Sequence, residues 1–402
     1  MRTILITGPG GSGRTTVAAA TAAGAAREGA RTLLLSADRT DTAGAALGCA
    51  TGARPSRVTE RLSVWRPDAV ERFREDLTAF QDRAASVLDL LGASRLDGEE
   101  VTPLPGAEEL SFLRALRDAA LSERYDLLVV DLPPLPGALA LLALPEELRR
   151  YLRRLLPPER QAARALRPVL GRLAGVPMPA EWLYETASRW DVELAAVEAV
   201  LTDRHTAVRL VAEPGPAGAD AVRTATLGLA LRGLRTEALV ANRVLPETVP
   251  DPWLAGLIAQ QRKTLDEWAA TYRVHTVAHL GRDPRGTDDL TALAVPGVND
   301  GPAPVEWPVV ADLPHSRTAP SGEPSTAADG HLVWQIPLPG AIRDDLDLVR
   351  RGDELVITAG PFRRIVPLPS ALRRCTVAGA GLREGELRIR FVPDPALWPA
   401  GR

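Results

Sequence analysis

Residues 1–16 read MRTILITGPGGSGRTT, in which a short apolar run, Arg2–Thr7, leads into a glycine-rich loop, Gly8–Gly13. An alanine-rich helical pattern follows to about Glu28, and Arg31–Ser36 predicts the next strand. This order of strand, loop, helix and strand is a βαβ unit with the loop at the carboxyl end of its first strand. It predicts an α/β fold built on a parallel sheet with helices on both faces.

The loop has the composition of a phosphate-binding site, because glycines let successive backbone amides face one anion and the following helix presents its free N-terminal N–H groups. We expect the phosphate contacts to come from Gly8, Gly10, Gly11, Ser12, Gly13, Arg14, Thr15 and Thr16. Thr15 is placed to give its hydroxyl to Mg²⁺. The usual motif has lysine where Arg14 stands, so the charge is kept but the compact ammonium is lost.

Four further apolar runs predict buried strands of the same sheet, and these are 126–131, 208–212, 238–242 and 274–278. Two stretches, about 70–121 and 139–200, lack strand patterns and predict a helical subdomain inserted around the strand at 126–131. Within it, an arginine-rich segment, 149–154, is interpreted as a solvated helix face, or alternatively as one wall of a groove for an apolar client helix.

The sequence pattern changes after residue 296. Residues 297–330 are rich in Pro, Ala, Ser and Gly and predict a flexible linker. Over 331–395 the apolar period becomes 2, which predicts a small all-β sandwich. We therefore expect a nucleotide-binding domain over 1–296, with its helical subdomain, followed by the linker and the sandwich.

Composition excludes several classes of protein. A net charge of −3 argues against a nucleic-acid partner. Two distant cysteines, Cys49 and Cys375, form no zinc motif and fit a reducing cytoplasm, which is the expected location. His275 and His279 fall on a predicted strand without the glutamate that a zinc hydrolase needs. No apolar run is long enough to predict a transmembrane helix.

Several stretches, in this order, resemble the ArsA-type ATPases, the family of arsenite-pump and tail-anchored-protein-targeting ATPases. Besides the loop, the matching stretches are 34–38 with 46–48 (first switch), 129–134 (second switch), 141–148 and 240–246. The C-terminal part is similar to the α-crystallin-like domain of small heat-shock proteins, which some bacterial members of the family carry, and its matches are 338–340, 352–357 and 385–389.

The resemblance implies ATP and Mg²⁺ as cofactors and a role for each matching residue. Asp38 would orient the attacking water, and Arg14 would contact the transferred phosphate. Asp131 would support Mg²⁺, commonly through a water, and Asn242 would recognise the adenine edge. The family also implies a homodimer that shelters an apolar client, such as a membrane protein, in a nucleotide-dependent way.

The chain departs from the family at positions that carry charge. The family's two loop lysines are replaced by Pro9 and Arg14, and the polar groups of the second switch are absent from 132–137. ATP hydrolysis is therefore expected to be impaired. Arg39, directly after Asp38, is a candidate to supply the charge lost at Pro9, as an arginine finger does, although a solvent-facing loop arginine is the simpler interpretation.

Two alternatives to the client-sheltering switch stay open. A pseudo-ATPase scaffold or chaperone would act through its helical and β-sandwich surfaces without turnover, and the altered loop favours it. A partition or membrane-surface switch would share the loop, but 144–148 and the C-terminal domain count against it. Arsenite export is disfavoured because two separated cysteines cannot form a thiolate cluster for a metalloid.

Overall fold

The computed structural model of the chain describes residues 1–83, 85, 92, 94–156, 180–247, 251–298, 305–312, 331–394 and 396–397. It divides into two compact units, Met1–Gly218 with Glu237–Gly301, and Ala219–Thr236 with Pro302–Arg402. A segment of the range expected as the nucleotide-binding domain, 219–236, thus groups with the C-terminal unit.

The first unit is built on one sheet, whose strands are β1 (Arg2–Thr7), β2 (Thr32–Ser36), β3 (Ser56–Arg57), β4 (Leu62–Trp65), β5 (Leu127–Asp131), β6 (Thr206–Ala212), β7 (Thr236–Val244) and β8 (Val274–Ala278). Their order is β3-β4-β2-β5-β1-β6-β7-β8. The pairs of β1 with β5 and β6, and of β2 with β4 and β5, are parallel, whereas β3 pairs antiparallel to β4. This confirms the α/β fold, and β3 and β4 are the strands that the sequence did not predict.

Both faces of this sheet are covered. Alternating residues of β1 show this directly, because Ile4, Leu5 and Ile6 are all fully buried. The helices of the unit are α1 (Arg14–Arg27), α2 (Thr42–Leu47), α3 (Ala69–Arg83), α4 (Ala107–Leu121), α5 (Gly137–Leu155), α6 (Ala180–Thr202), α8 (Pro252–Ala269) and α9 (Gly286–Ala292), with α7 (Pro216–Leu231) falling mostly in the second unit. Apolar residues of α1, α2 and α9 share one buried cluster with β1, β5 and β7.

The expected helical subdomain corresponds to helices α3 to α6. α5 packs along α6, and α4 packs against both α3 and α6. Residues 157–179 of the expected range lie outside the described residues. In the described part of the chain, no helix is both long enough and apolar enough to cross a membrane.

The second unit contains two antiparallel sheets, which confirms the predicted β-sandwich class. Its strands are β9 (Val309–Asp312), β10 (His331–Pro337), β11 (Leu346–Arg351), β12 (Glu354–Ala359), β13 (Phe362–Pro367), β14 (Cys375–Arg383) and β15 (Glu386–Pro393). Their orders are β14-β15-β10-β9 and β11-β12-β13.

Two segments outside the expected sandwich range contribute to this unit. Strand β9 falls within the range expected as a linker, most of which lies outside the described residues, and pairs with β10. From helix α7, Leu227 and Leu231 belong to the same buried cluster as sandwich residues such as Ile357 and Phe391. The carbonyl of Leu231 also accepts a hydrogen bond from Arg364, at 2.9 Å.

Candidate functional site

The glycine loop joins β1 to α1 and leaves the start of the helix without a side-chain cap. Gly13 is the N-cap of α1, with a left-handed φ of 81°, and it caps the helix with no side chain. The first N–H groups of α1 therefore keep their capacity to donate to a ligand. Thr15 and Ser12 are buried within this turn, and the Ser12 hydroxyl donates to the Pro9 carbonyl at 2.9 Å.

Two glycines of the loop are fixed by their surroundings. A Cβ on Gly8 would lie 1.9 Å from the carbonyl oxygen of Val211, at the end of β6. A Cβ on Gly13 would lie 2.3 Å from the side-chain nitrogen of Asn242. The loop therefore lies directly against the ends of β6 and β7, and only glycine allows that approach.

Asn242 and its neighbour Arg243 hold the loop from β7. The Asn242 Nδ2 donates to the Ser12 carbonyl at 2.8 Å, and the Arg243 Nη1 donates to the Gly11 carbonyl at 2.9 Å. Sequence reasoning missed Arg243, whose left-handed φ of 56° would have been visible only in the structure. Both residues line a pocket of about 250 Å³ that also includes Gly13 and Thr16 of the loop.

Asp131 ends β5 beside the loop and is almost fully buried. Its Oδ2 accepts a hydrogen bond from the Ser36 hydroxyl at 2.9 Å, and that hydroxyl in turn accepts from the backbone N–H of Asp38 at 3.2 Å. Burial raises the pKa of Asp131 to about 6, although the charge of Arg14 and the hydroxyls of Ser36 and Thr15 oppose this.

Arg14 folds away from solvent toward this carboxylate. Its Nη1 donates a hydrogen bond to the Leu132 carbonyl and lies 3.9 Å from the Asp131 Oδ1. The Arg14 side chain is 13% exposed, so the cation is held in place between the loop and the second switch. Among the described residues, the Asp131 Oδ1 accepts no hydrogen bond, which leaves Arg14 as its neighbouring cation.

The first switch is fixed by its own contacts. The Asp38 Oδ1 accepts hydrogen bonds from the N–H of Thr40 at 3.1 Å and from its hydroxyl at 3.0 Å. Arg39 donates from Nε to the Glu108 Oε2 at 2.7 Å, so it contacts the first turn of α4 rather than the loop. The Arg39 side chain is 78% exposed, and a salt bridge of this kind is weak.

The residues present fit a nucleotide phosphate better than they fit a divalent cation. The loop offers free helix amides and a left-handed glycine, which suit an anion. Thr15 and Asp131 supply a hydroxyl and a carboxylate that Mg²⁺ would use, but Arg14 already neutralises that carboxylate. The described part of the chain has no cluster of three or more His, Cys, Asp or Glu side chains that could hold a metal ion.

A second feature is a groove of about 910 Å³ among α3, α4, α5 and α6. The apolar side chains that line it are Phe73, Phe80, Leu104, Leu110, Leu144, Leu148 and Trp190. Arg114 borders the groove, pairing with Asp76 and Glu193 and lying 5.9 Å from the Trp190 ring centre. The arginine-rich segment of α5 is anchored rather than only solvated, since Arg149 pairs with Asp191 and Glu198 of α6.

Comparison with known proteins finds a matching family model for each of two ranges that together cover most of the chain. A sequence model of the family described as "Anion-transporting ATPase" matches residues 1–294, and one described as "HSP20-like domain found in ArsA" matches residues 329–391. An uncharacterized protein of Streptomyces coelicolor is 72% identical over the full length of both chains. A Mycobacterium tuberculosis protein is 32% identical over 99% of this chain and 97% of its own. An Aquifex aeolicus protein, whose name proposes an arsenical pump-driving ATPase, is 25% identical over 97% of this chain and 99% of its own.

Replacing Gly13 with alanine should destabilise the chain, because the new Cβ would meet Asn242 in a left-handed backbone conformation. We expect the free energy of unfolding to fall by about 1–3 kcal/mol. Gly10→Ala is the matched control, since a Cβ there meets nothing within 4 Å, and it should change stability by less than about 0.5 kcal/mol. Chemical denaturation compares the two variants, and equal losses would contradict the close packing described for Gly13.

The raised pKa of Asp131 predicts a pH-dependent effect of Asp131→Asn. The protonated carboxyl stabilises the fold below the ordinary pKa of 3.8, and this contribution is lost as the pH rises through about 6. Relative to wild type, Asp131→Asn should therefore gain about 2 kcal/mol in free energy of unfolding between pH 4.5 and pH 7.

Asp126→Asn, at the other end of β5, is the control for this measurement. Arg31 lowers the pKa of Asp126, so its contribution to stability is present above its ordinary pKa and is lost only in stronger acid. The difference in free energy of unfolding between Asp126→Asn and wild type, measured by urea denaturation, should stay constant over the same pH interval. If the difference in free energy of unfolding between Asp131→Asn and wild type also stays constant with pH, burial does not raise the pKa of Asp131.

Proposed function

The chain belongs to the family of anion-transporting ATPases, and on that premise we propose that it binds ATP through residues 8–16 as a nucleotide-dependent switch. The observation that carries the proposal is the uncapped start of α1 at Gly13, next to a pocket lined by Asn242. Backbone amides of the loop bind the phosphates, and the Asn242 amide offers a donor and an acceptor to the base. Both roles extend the family expectation to these residues.

We infer that hydrolysis is slow. Asp38 is the candidate to orient the attacking water, and its carboxylate is already held by Thr40. Pro9 and Arg14 stand where the family has lysines, so less positive charge is free to move onto a transferring phosphate. Mg²⁺, when present, would supply Lewis-acid charge at Thr15 and Asp131, in competition with Arg14.

Contacts within the first unit support coupling between the nucleotide site and the groove among α3–α6. The end of the second switch and the two residues after it, 132–136, run directly from β5 into α5, which carries the groove residues Leu144 and Leu148. From the first switch, Arg39 contacts Glu108, next to the groove residue Ala107. A rearrangement of either switch on ATP binding would therefore move a wall of the groove.

We propose that the groove binds an apolar helix of another protein. Its lining is mainly aromatic and aliphatic, and its volume falls within the range of binding sites. A homodimer is the proposed assembly, because each chain carries one loop and therefore half of a paired nucleotide machine.

A pseudo-ATPase scaffold is the second candidate. The ion pair between Arg14 and Asp131 favours it, since this pair neutralises the carboxylate expected to support a metal ion. In this alternative the groove and the β-sandwich bind partners without turnover.

Titration of ATP with Mg²⁺ into wild type and Asp38→Asn, paired with phosphate release, separates the two candidates. For the switch, we expect Asp38→Asn to bind ATP within about threefold of wild type and to release phosphate at least about tenfold more slowly. Asp118→Asn, an exposed carboxylate on α4, should leave both quantities unchanged. Absence of ATP binding at millimolar concentration would instead support the scaffold.

The groove is tested with a labelled apolar helical peptide of about 20 residues, followed by fluorescence anisotropy. Leu104→Asp places a charge on an exposed leucine of the lining and should weaken peptide binding at least about tenfold. Val192→Asp is the matched control, because this valine of α6 is equally exposed but lies outside the lining. Equal affinities for the two variants would rule out the groove as the peptide site.

A further inference from the structure

We propose that Arg14 supplies from within the chain the positive charge that a divalent cation would supply at Asp131, so that ATP binds without Mg²⁺. This inference rests on the nucleotide binding proposed above. It goes further in naming which form of the nucleotide the site accepts, namely the metal-free polyanion.

The position of Arg14 provides the first argument. Its backbone begins α1, where the anion-binding amides lie, and its guanidinium reaches the Leu132 carbonyl and comes within 3.9 Å of the Asp131 Oδ1. One side chain therefore places a fixed cation between the phosphate loop and the buried carboxylate. A hydrated divalent ion supported by Asp131 would need that same carboxylate.

Charge balance provides the second argument. Among the described residues, Asp38 is the acidic group and Arg14 the cation whose charges influence Asp131. One guanidinium thus already offsets part of the charge of the buried carboxylate. A divalent ion arriving beside it would meet a like charge that, at 13% exposure, cannot be displaced into water without movement of the side chain.

The shape of the guanidinium provides the third argument. Arg14 uses Nη1 for both of its contacts with the described residues, Leu132 and Asp131. Nε and Nη2 belong to the same planar fork and keep their capacity to donate to phosphate oxygens. Lysine has a single compact ammonium and lacks the planar fork that places separate nitrogens on a carboxylate and on a phosphate. Arg14→Lys should therefore restore a requirement for the metal ion.

Calorimetric titration of ATP into the full chain, once with excess Mg²⁺ and once with EDTA, tests the inference. For wild type, we expect ATP to bind at least about tenfold more tightly with EDTA than with excess Mg²⁺, because excess Mg²⁺ converts nearly all free ATP into its metal complex. For Arg14→Lys, ATP should bind at least about tenfold more tightly with Mg²⁺ than with EDTA. Arg31→Lys is the matched control, since Arg31 also pairs with a carboxylate, Asp126, at an exposed position at the opposite end of β5, and it should behave as wild type.

The outcomes separate this inference from the proposed function. Binding by wild type that is as tight with Mg²⁺ as with EDTA, or tighter, would overturn the inference and leave nucleotide binding intact. No binding in either buffer would overturn both. The same preference for EDTA in Arg14→Lys would overturn the argument from the guanidinium.

A second measurement needs no variant, in case Arg14→Lys fails to fold. Mn²⁺ is added to wild type with ATP, and water-proton relaxation is recorded against Mn²⁺ with ATP alone. We expect no enhancement from the protein. An enhancement that ATP saturates would place the metal ion on the protein and overturn the inference.

Discussion

A buried carboxylate lies at the centre of the candidate nucleotide site of this protein. Asp131 ends a central strand with almost no exposure, and a carboxylate in that position is costly unless other groups compensate it. The compensating groups come from separate segments, namely Ser36 at the end of β2 and Arg14 at the start of α1. Parallel pairing of β1, β2 and β5 brings the phosphate loop and both switches to one edge of the sheet. Asp131 is the group at which their contacts meet.

Local patterns in the sequence were sufficient to predict the strands of the sheet other than β3 and β4, the loop and the separate C-terminal β-sandwich. β1, the loop and α1 follow one another within the first 27 residues, so their hydrophobic pattern and glycines specify them directly. The contacts of Arg14 could not be predicted, because its partner Leu132 is 118 residues away in the sequence and is brought close only by the fold. Arg243 was missed for the same reason, since its contact with Gly11 spans 232 residues and depends on the placement of β7.

In the C-terminal unit, the alternation of apolar residues predicts the sandwich but not the segments that join it from elsewhere in the chain. Alternation predicted a sandwich over 331–395, but β9 lies before that range, in a Pro-rich stretch, and pairs with β10. Helix α7 has an apolar face that the sequence reveals, yet the pattern does not say what covers it. Its Leu227 and Leu231 lie in the core of the sandwich, together with Ile357 and Phe391. The composition of an apolar face therefore predicts burial but not the partner in that burial.

The cation at Asp131 also bears on how such a site would operate. A hydrated metal ion enters and leaves with its nucleotide, so the charge at the carboxylate changes within each cycle. A guanidinium tethered to α1 stays when the nucleotide leaves, and it compensates Asp131 in both states. The energetic difference between the states is then smaller, and less of the binding energy is realised only in the transition state. A site of the proposed kind favours holding a nucleotide over turning it over rapidly. The groove would then respond to whether nucleotide is bound rather than to repeated hydrolysis, since the second switch runs toward α5 and Arg39 of the first switch contacts α4.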